Sequence, residues 1–201
     1  MALGTRTANL AVVSAESAVL IEARSSVGLI SFGTTAVRGE FRGALVNGEI
    51  DVNEPSHASL VVPVTSLTSG NALYDAELHD RLNAQRYPEI TAELRTADAV
   101  GPGRFSVSGD LTIHGTTRRQ IGTLAIAISK TAAASPEQPG ARTAAPVVVT
   151  GLVVVVSGTL IVDIRDFDIE LPGVLMLQIY PDVTVSFRVT AISADTGRTD
   201  N

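Results

Sequence analysis

The 201-residue chain contains no cysteine and no tryptophan. Without thiols it can form no disulfide, offers no thiol nucleophile, and lacks the thiolate ligands of many zinc sites and of iron–sulfur clusters. That absence fits a reducing compartment. Aromatic residues make up 4% of the chain, so few rings are present to stack on bases or to fill a wide core. Basic residues are outnumbered, 15 against 21 acidic, for a net charge of −6. No Lys/Arg cluster occurs, and a surface of that sign repels a phosphate backbone, so nucleic acid is not an expected partner. Long apolar runs are missing as well. The longest, "APVVVTGLVVVV" (Ala145–Val156), is too short to span a bilayer and is broken by Thr150 and Gly151. The first residues carry one Arg and only a short apolar stretch, Ala8–Val13, which is less than a secretory leader requires. The expectation is a cytoplasmic protein that does not span a membrane, with residues 1–17 as an N-terminal arm or an extra edge strand.

What is present is alternation. In "FSVSGDLTIHG" one face carries Phe105, Val107, Gly109, Leu111 and Ile113, and the other Ser106, Ser108, Asp110, Thr112 and His114. Period two over this length is the mark of a strand with one buried face. "ITAEL" (Ile90–Leu94) and "VTVSFRVTA" (Val183–Ala191) repeat it. Further strands are expected at Leu20–Phe32, Val37–Leu45, Gly48–Val52, Ser59–Leu67, Ile121–Ser129 and Val147–Asp168, the last bent or split near Gly158. Asn47-Gly48 and "VGPGR" (Val100–Arg104) supply tight turns. Many amphipathic strands joined by short turns indicate an antiparallel sandwich or a closed barrel. Residues 18–192 form that domain, residues 193–201 a tail. "TAAASPEQPGARTAAP" (Thr131–Pro146) lacks periodicity and reads as a loop inserted in it.

One segment breaks the strand pattern. Asn71 can cap a helix that runs to about Gln85, with Leu78 and Leu82 four apart on one face. Tyr87-Pro88 then returns the chain to an extended conformation ahead of the Ile90 strand. A short helix so placed can close one end of a barrel.

Residues for chemistry are sparse. The three histidines, His57, His79 and His114, share no metal-ligand spacing. "DIRDFD" (Asp163–Asp168) sets three carboxylates around Arg165 but is not followed by a calcium-loop pattern. No nucleophile elbow, phosphate loop or dinucleotide fingerprint occurs, and Ser25-Ser26 has no adjacent base. A non-enzyme without cofactor or metal is expected. Its rivals are a lipid-acting enzyme using His114 or the Asp163–Asp168 cluster, and an interaction barrel.

About eight strands close a barrel that can just hold one ligand. The inward positions are mostly Val, Ile, Leu and Ala, which leave room that larger rings would fill. A slender apolar occupant and a dry, filled core both remain open on the pattern alone. Expected lining residues are Val27, Leu29, Val62, Val64, Leu94, Phe105, Val107, Leu111, Val185 and Phe187, with Tyr87 at the rim, its ring on apolar surface and its hydroxyl in water.

Four stretches together resemble the YceI-like family: "ARSSVGLISFGTTAVRGEF" (Ala23–Phe41), "DRLNAQRYPEITAEL" (Asp80–Leu94), "GRFSVSGDLTIHGTTRRQ" (Gly103–Gln120) and "DIRDFDIELPG" (Asp163–Gly173). The resemblance implies an all-β fold: an extended lipocalin-like, up-and-down antiparallel β-barrel with a short helix near one mouth. It also implies a role in holding a polyisoprenoid chain, such as a polyprenyl quinone, for sequestration, transport or stress response in bacteria. Members are often exported, and a homodimer is an allowed assembly. The chain departs from the family pattern at Arg24, where a His is usual before the Ser, at Glu77, where a His is usual before the Leu, and in having no early Trp.

Overall fold

A computed structural model describes residues 6–46, 49–50, 56–134, 148–170 and 179–193. The strands are β1 (Arg6–Val12), β2 (Ala18–Ser25), β3 (Gly28–Thr34), β4 (Arg38–Val46), β5 (Glu49–Ile50), β6 (His57–Pro63), β7 (Glu89–Gly101), β8 (Arg104–Ile113), β9 (Thr116–Ala134), β10 (Val148–Asp163) and β11 (Ile179–Ser193). One helix, α1 (Ala72–Arg81), lies between β6 and β7. All pairings are antiparallel. The order β1-β4-β6-β7-β8-β9-β10-β11 closes on itself through a β1–β11 pairing, which makes an eight-strand barrel. Within the ring, closure covers strand edges that an open sheet would leave unpaired.

The ring closes by a handover on one edge of β11. Its C-terminal part pairs with β1, Ala191 opposite Val12. Its N-terminal part pairs with β2, from Arg188 opposite Ala18 to Val183 opposite Ala23. Between the two, residues 13–17 step off the ladder, and buried polar atoms hold the step. Val13 N–H donates to the Thr190 carbonyl at 2.8 Å, and the Thr190 N–H donates to Ser17 Oγ at 3.1 Å. Ser17 and Thr190 are buried, and each is hydrogen-bonded, as burial of a hydroxyl requires. Residues 6–12, expected as an arm outside the domain, are therefore a staple of the barrel, with Ala8 and Leu10 buried.

Two other strand expectations change. Leu20–Phe32 is a hairpin, β2 and β3, turned at Ser26-Val27 with Ser25 opposite Gly28. Gly28 sits at φ 127°, a conformation open to glycine and strained for other residues. β10 runs unbroken through Gly158, which packs beneath Leu124 and Phe187. Asn47-Gly48, residues 135–146 of the loop and Val147 lie outside the described residues, while Thr131–Ala134 belong to β9.

α1 begins where its cap predicts: Asn71 Oδ1 accepts from Leu73 N–H at 2.9 Å. Leu82, just past its last turn, is buried, and Leu78 packs beside it. Both reach a cluster that includes Ala23, Val64, Val162, Phe167 and Val183, so the helix closes the end of the barrel defined by the β2–β3 and β8–β9 turns. Tyr87-Pro88 secures the return into β7, since Val64 N–H donates to the Pro88 carbonyl at 2.8 Å.

The Tyr87 ring meets His114 edge-on, with centroids 5.0 Å apart. His114-Gly115 is the two-residue turn between β8 and β9, with φ 52° and 76°. Positive φ at both positions matches the twist of the flanking strands. A side chain on Gly115 would run into the Tyr87 ring. Gly115→Ala should therefore destabilise the fold by more than the ~1–2 kcal/mol cost of left-handed backbone alone. In a Tyr87→Ala background the excess should vanish; a double-mutant cycle by urea denaturation that gives strict additivity would contradict the packing.

Candidate interior binding site

Register decides which side chains share the interior. From the lid end toward the other, inward pairs on β10 and β11 are Val162 with Val183, Leu160 with Val185, Gly158 with Phe187, Val156 with Val189, and Val154 with Ala191. On β8 the inward residues are Phe105, Val107, Gly109, Leu111 and Ile113, opposite Leu124, Gly122, Gln120, Arg118 and Thr116 of β9. β7 contributes Ile90, Ala92 and Leu94, then a bulge at Arg95 resets its alternation so that Ala97 and Ala99 oppose Val107 and Phe105.

Of the expected lining residues, Val62 and Val64 are buried in the clusters near the lid, with Leu111, Val185 and Phe187 packed against those clusters. Leu94, Phe105 and Val107 also lie on the inner face, by register. Tyr87 lies at the lid end on the β8–β9 turn. Val27 and Leu29 are placed elsewhere. Val27 is in the β2–β3 turn and 67% exposed, and Leu29 faces outward at 58%. Reading Leu20–Phe32 as one strand carries the odd positions inward through a turn that reverses them; Ile30 and Phe32 are the residues that face in.

The interior is unevenly filled. Three clusters of buried side chains occupy the lid end, the middle and the end near β1. Leu94, Phe105, Val107 and Leu124 belong to none of them and are only half-buried. They share the β7–β9 wall with Ala97, Ala99, Gly109 and Gly122. A Cβ built on Gly122 would find no atom within 4 Å. In a close-packed core some neighbour would lie at contact distance there. Gly122 and Leu124 escaped the sequence reading because the apolar run around Ile121 does not reveal which parity is inward; Ile121 itself is 76% exposed.

Beside this wall the barrel has a slot. β9 and β10 pair from Ala134–Val148 down to Leu124–Gly158 and no further. Below that pair, residues 116–123 have ladder partners on β8 alone and residues 159–163 on β11 alone. The gap is bridged again at the lid end, where Thr116 Oγ1 donates to Asp168 Oδ2 at 2.9 Å.

The residues considered for chemistry have structural partners. His114 Nδ1 lies 3.4 Å from the Phe167 carbonyl, and His79 Nε2 lies 3.1 Å from the Leu67 carbonyl. Asp163 accepts from the Arg165 backbone N–H at 2.9 Å and from its guanidinium. His57 is exposed on β6. Among the described residues no group of three His, Cys, Asp or Glu could hold a metal.

The model of the YceI-like domain matches residues 12–191. The chain belongs to that family. This YceI-like barrel is 32% identical over 92 residues to a UPF0312 protein of Vibrio parahaemolyticus, an alignment that covers 43% of this chain and 48% of the relative. The chain thus spans about half the length of the curated relatives it matches. Among solved structures it is similar to BcnA of Burkholderia cenocepacia, with TM-score 0.67, 16% identity, and coverage of 91% of this chain and 99% of that one. A polyisoprenoid binding domain from Saccharophagus degradans gives TM-score 0.60 at 17% identity, covering 92% and 98%. A mutant YceI protein of Campylobacter jejuni gives 0.57 at 14%, covering 83% and 86%. At these identities the likeness shows the fold. No helix among the described residues is long and apolar enough to cross a membrane.

In the YceI-like barrel, two of the sequence stretches that carry the resemblance meet in space: Arg86-Tyr87-Pro88 leads from the lid and packs on the turn that ends Gly109–Gly115. The lid is also tied from its N-terminal side. Asp75, in the first turn of α1, accepts from Ser69 N–H at 2.6 Å and from Ser69 Oγ at 2.7 Å. The Ser69 side-chain bond foremost, then its backbone bond, holds the Asp75 carboxyl below its ordinary value of 3.8. A carboxylate with a depressed folded pKa contributes stability above its unfolded pKa, and that contribution is lost as pH falls through the folded value. Ser69→Ala should raise the Asp75 pKa, read by carboxyl-carbon NMR. The stability gap between the two proteins should be present at neutral pH and should close below about pH 4. A gap unchanged down to acid would separate Asp75 from this bond.

Proposed function

We propose that this protein is a non-catalytic holder of a long apolar molecule of the isoprenoid class, carried in the barrel for sequestration, transport or a stress response. The observation that carries the reading is the half-covered inner wall of β7–β9, where Leu94, Phe105, Val107 and Leu124 face Gly122 and open space. The stretch of small and branched apolar residues from Leu94 and Phe105 to Leu124 suits a flexible chain, with Gln120 and Arg118 marking its polar end toward the lid. The slot between β9 and β10 runs beside that wall and supplies a lateral route for a chain too long to enter past the lid. The similarity to a polyisoprenoid binding domain supports the same class of cargo. The structural employment of His79, His114 and Asp163 supports holding over turnover.

Gly122→Trp tests the reading directly. The new ring should enter the free space with little effect on folding, and should abolish binding of a polyprenyl quinone, read by native mass spectrometry and by fluorescence transfer. Binding that survives in a folded Gly122→Trp variant would place the cargo elsewhere or remove it.

A further inference from the structure

Several arginines of this acidic chain are ion-paired. Arg38, Arg42, Arg81, Arg95, Arg119 and Arg165 each meet a carboxylate. Arg86 lies over the Tyr87 ring, and Arg118 donates to the Thr117 carbonyl. Arg24, Arg104 and Arg188 have no such partner among the described residues; Arg104 and Arg188 share one groove of about 540 Å³, lined mostly by outward-facing residues and also by Leu124, Gly158 and Phe187 of the inner face.

The register explains the groove. Arg104, Ala125, Ser157 and Arg188 form one row across β8, β9, β10 and β11, one residue per strand, all facing outward. At a strand spacing of about 4.8 Å the two arginine Cα atoms stand roughly 14 Å apart. The short side chains of Ala125 and Ser157 between them leave the space open. The next row adds the hydroxyls of Thr123, Thr159 and Ser186, with Thr159 and Ser186 hydrogen-bonded to each other at 3.2 Å. No carboxylate of the described residues lines the groove, although acidic residues outnumber basic ones in the chain. Two unpaired guanidinium groups beside hydroxyls complement the charge of a phosphate group, which arginine binds through paired N–H donors.

We propose that this groove binds a phosphate-class oxyanion between Arg104 and Arg188. The arginines and hydroxyls lie on the outer face, and the groove adjoins the interior at the Leu124–Gly158 pair where the slot begins, with Leu124 and Phe187 in its wall. The oxyanion is therefore either a free phosphate or the headgroup of a lipid at the barrel wall, and the two arms of the test separate them.

The experiment is titration calorimetry with inorganic phosphate, alongside co-sedimentation with phosphatidylcholine vesicles with and without phosphatidic acid. Saturable phosphate binding, weakened about tenfold or more in the double variant Arg104→Gln/Arg188→Gln but not in Arg24→Gln, supports the site as one for the free anion. Vesicle capture that needs phosphatidic acid and is lost in the double variant, with no binding of free phosphate, supports it as a headgroup site. Arg104→Lys/Arg188→Lys should bind at intermediate strength in either arm, since charge is kept and the paired donors are lost. Circular dichroism checks that each variant is folded. Absence of binding in both arms, or binding indifferent to the double variant, or equal loss in Arg24→Gln, overturns the proposal.

Discussion

The barrel depends on one edge of one strand. β11 presents a single line of backbone donors and acceptors, and two successive segments, β1 and β2, must share it. The step between them is possible because Ser17 and Thr190 satisfy the buried groups that the ladder abandons there. An unsatisfied group at that depth would cost about 1–3 kcal/mol. The handover places β4 beside β1 and β3 beside β2, so the wall around the lid and the wall at the far end have different members. From this follow both the closure of the ring and the seat of α1 against the β2–β3 end.

Once the ring is closed, alternation does the rest. Each strand can expose only every second residue to the interior, and neighbouring strands must agree on which. Two irregularities adjust that agreement. The bulge at Arg95 turns Ala97 and Ala99 inward, and the parting of β9 from β10 after Leu124 and Gly158 opens the wall. Small residues gather on the same wall, which leaves Gly122 beside free space while Gly158, with Leu124 and Phe187 folded over it, is closed. The interior is thus solid where three clusters meet and open along one side.

Polar chemistry is spent on holding this shape. His114, Asp163, Asp168 and Asp75 fasten turns and the lid, and Arg95 and Arg119 converge on Asp110 across the outer face of β7–β9. These side chains are engaged in fastening turns and the lid to the barrel wall.

Local features were legible in the sequence to the extent that they rest on neighbours along the chain. The strand at Phe105–Ile113, the Asn71 cap, and the turn before Arg104 each need only a few adjacent residues to be satisfied, and each stands as read. The place of residues 6–12 in the ring, the outward turn of Val27 and Leu29, and the continuity of β10 through Gly158 depend on partners far away in the chain. Composition and period made this a chain of half-buried strands with one helical lid, because those choices are settled by side-chain spacing and local backbone preference. Which faces meet, where the wall parts and which arginines stay unpaired were decided by register across the closed ring, since hydrogen-bonded pairing between distant strands leaves no mark in either strand alone.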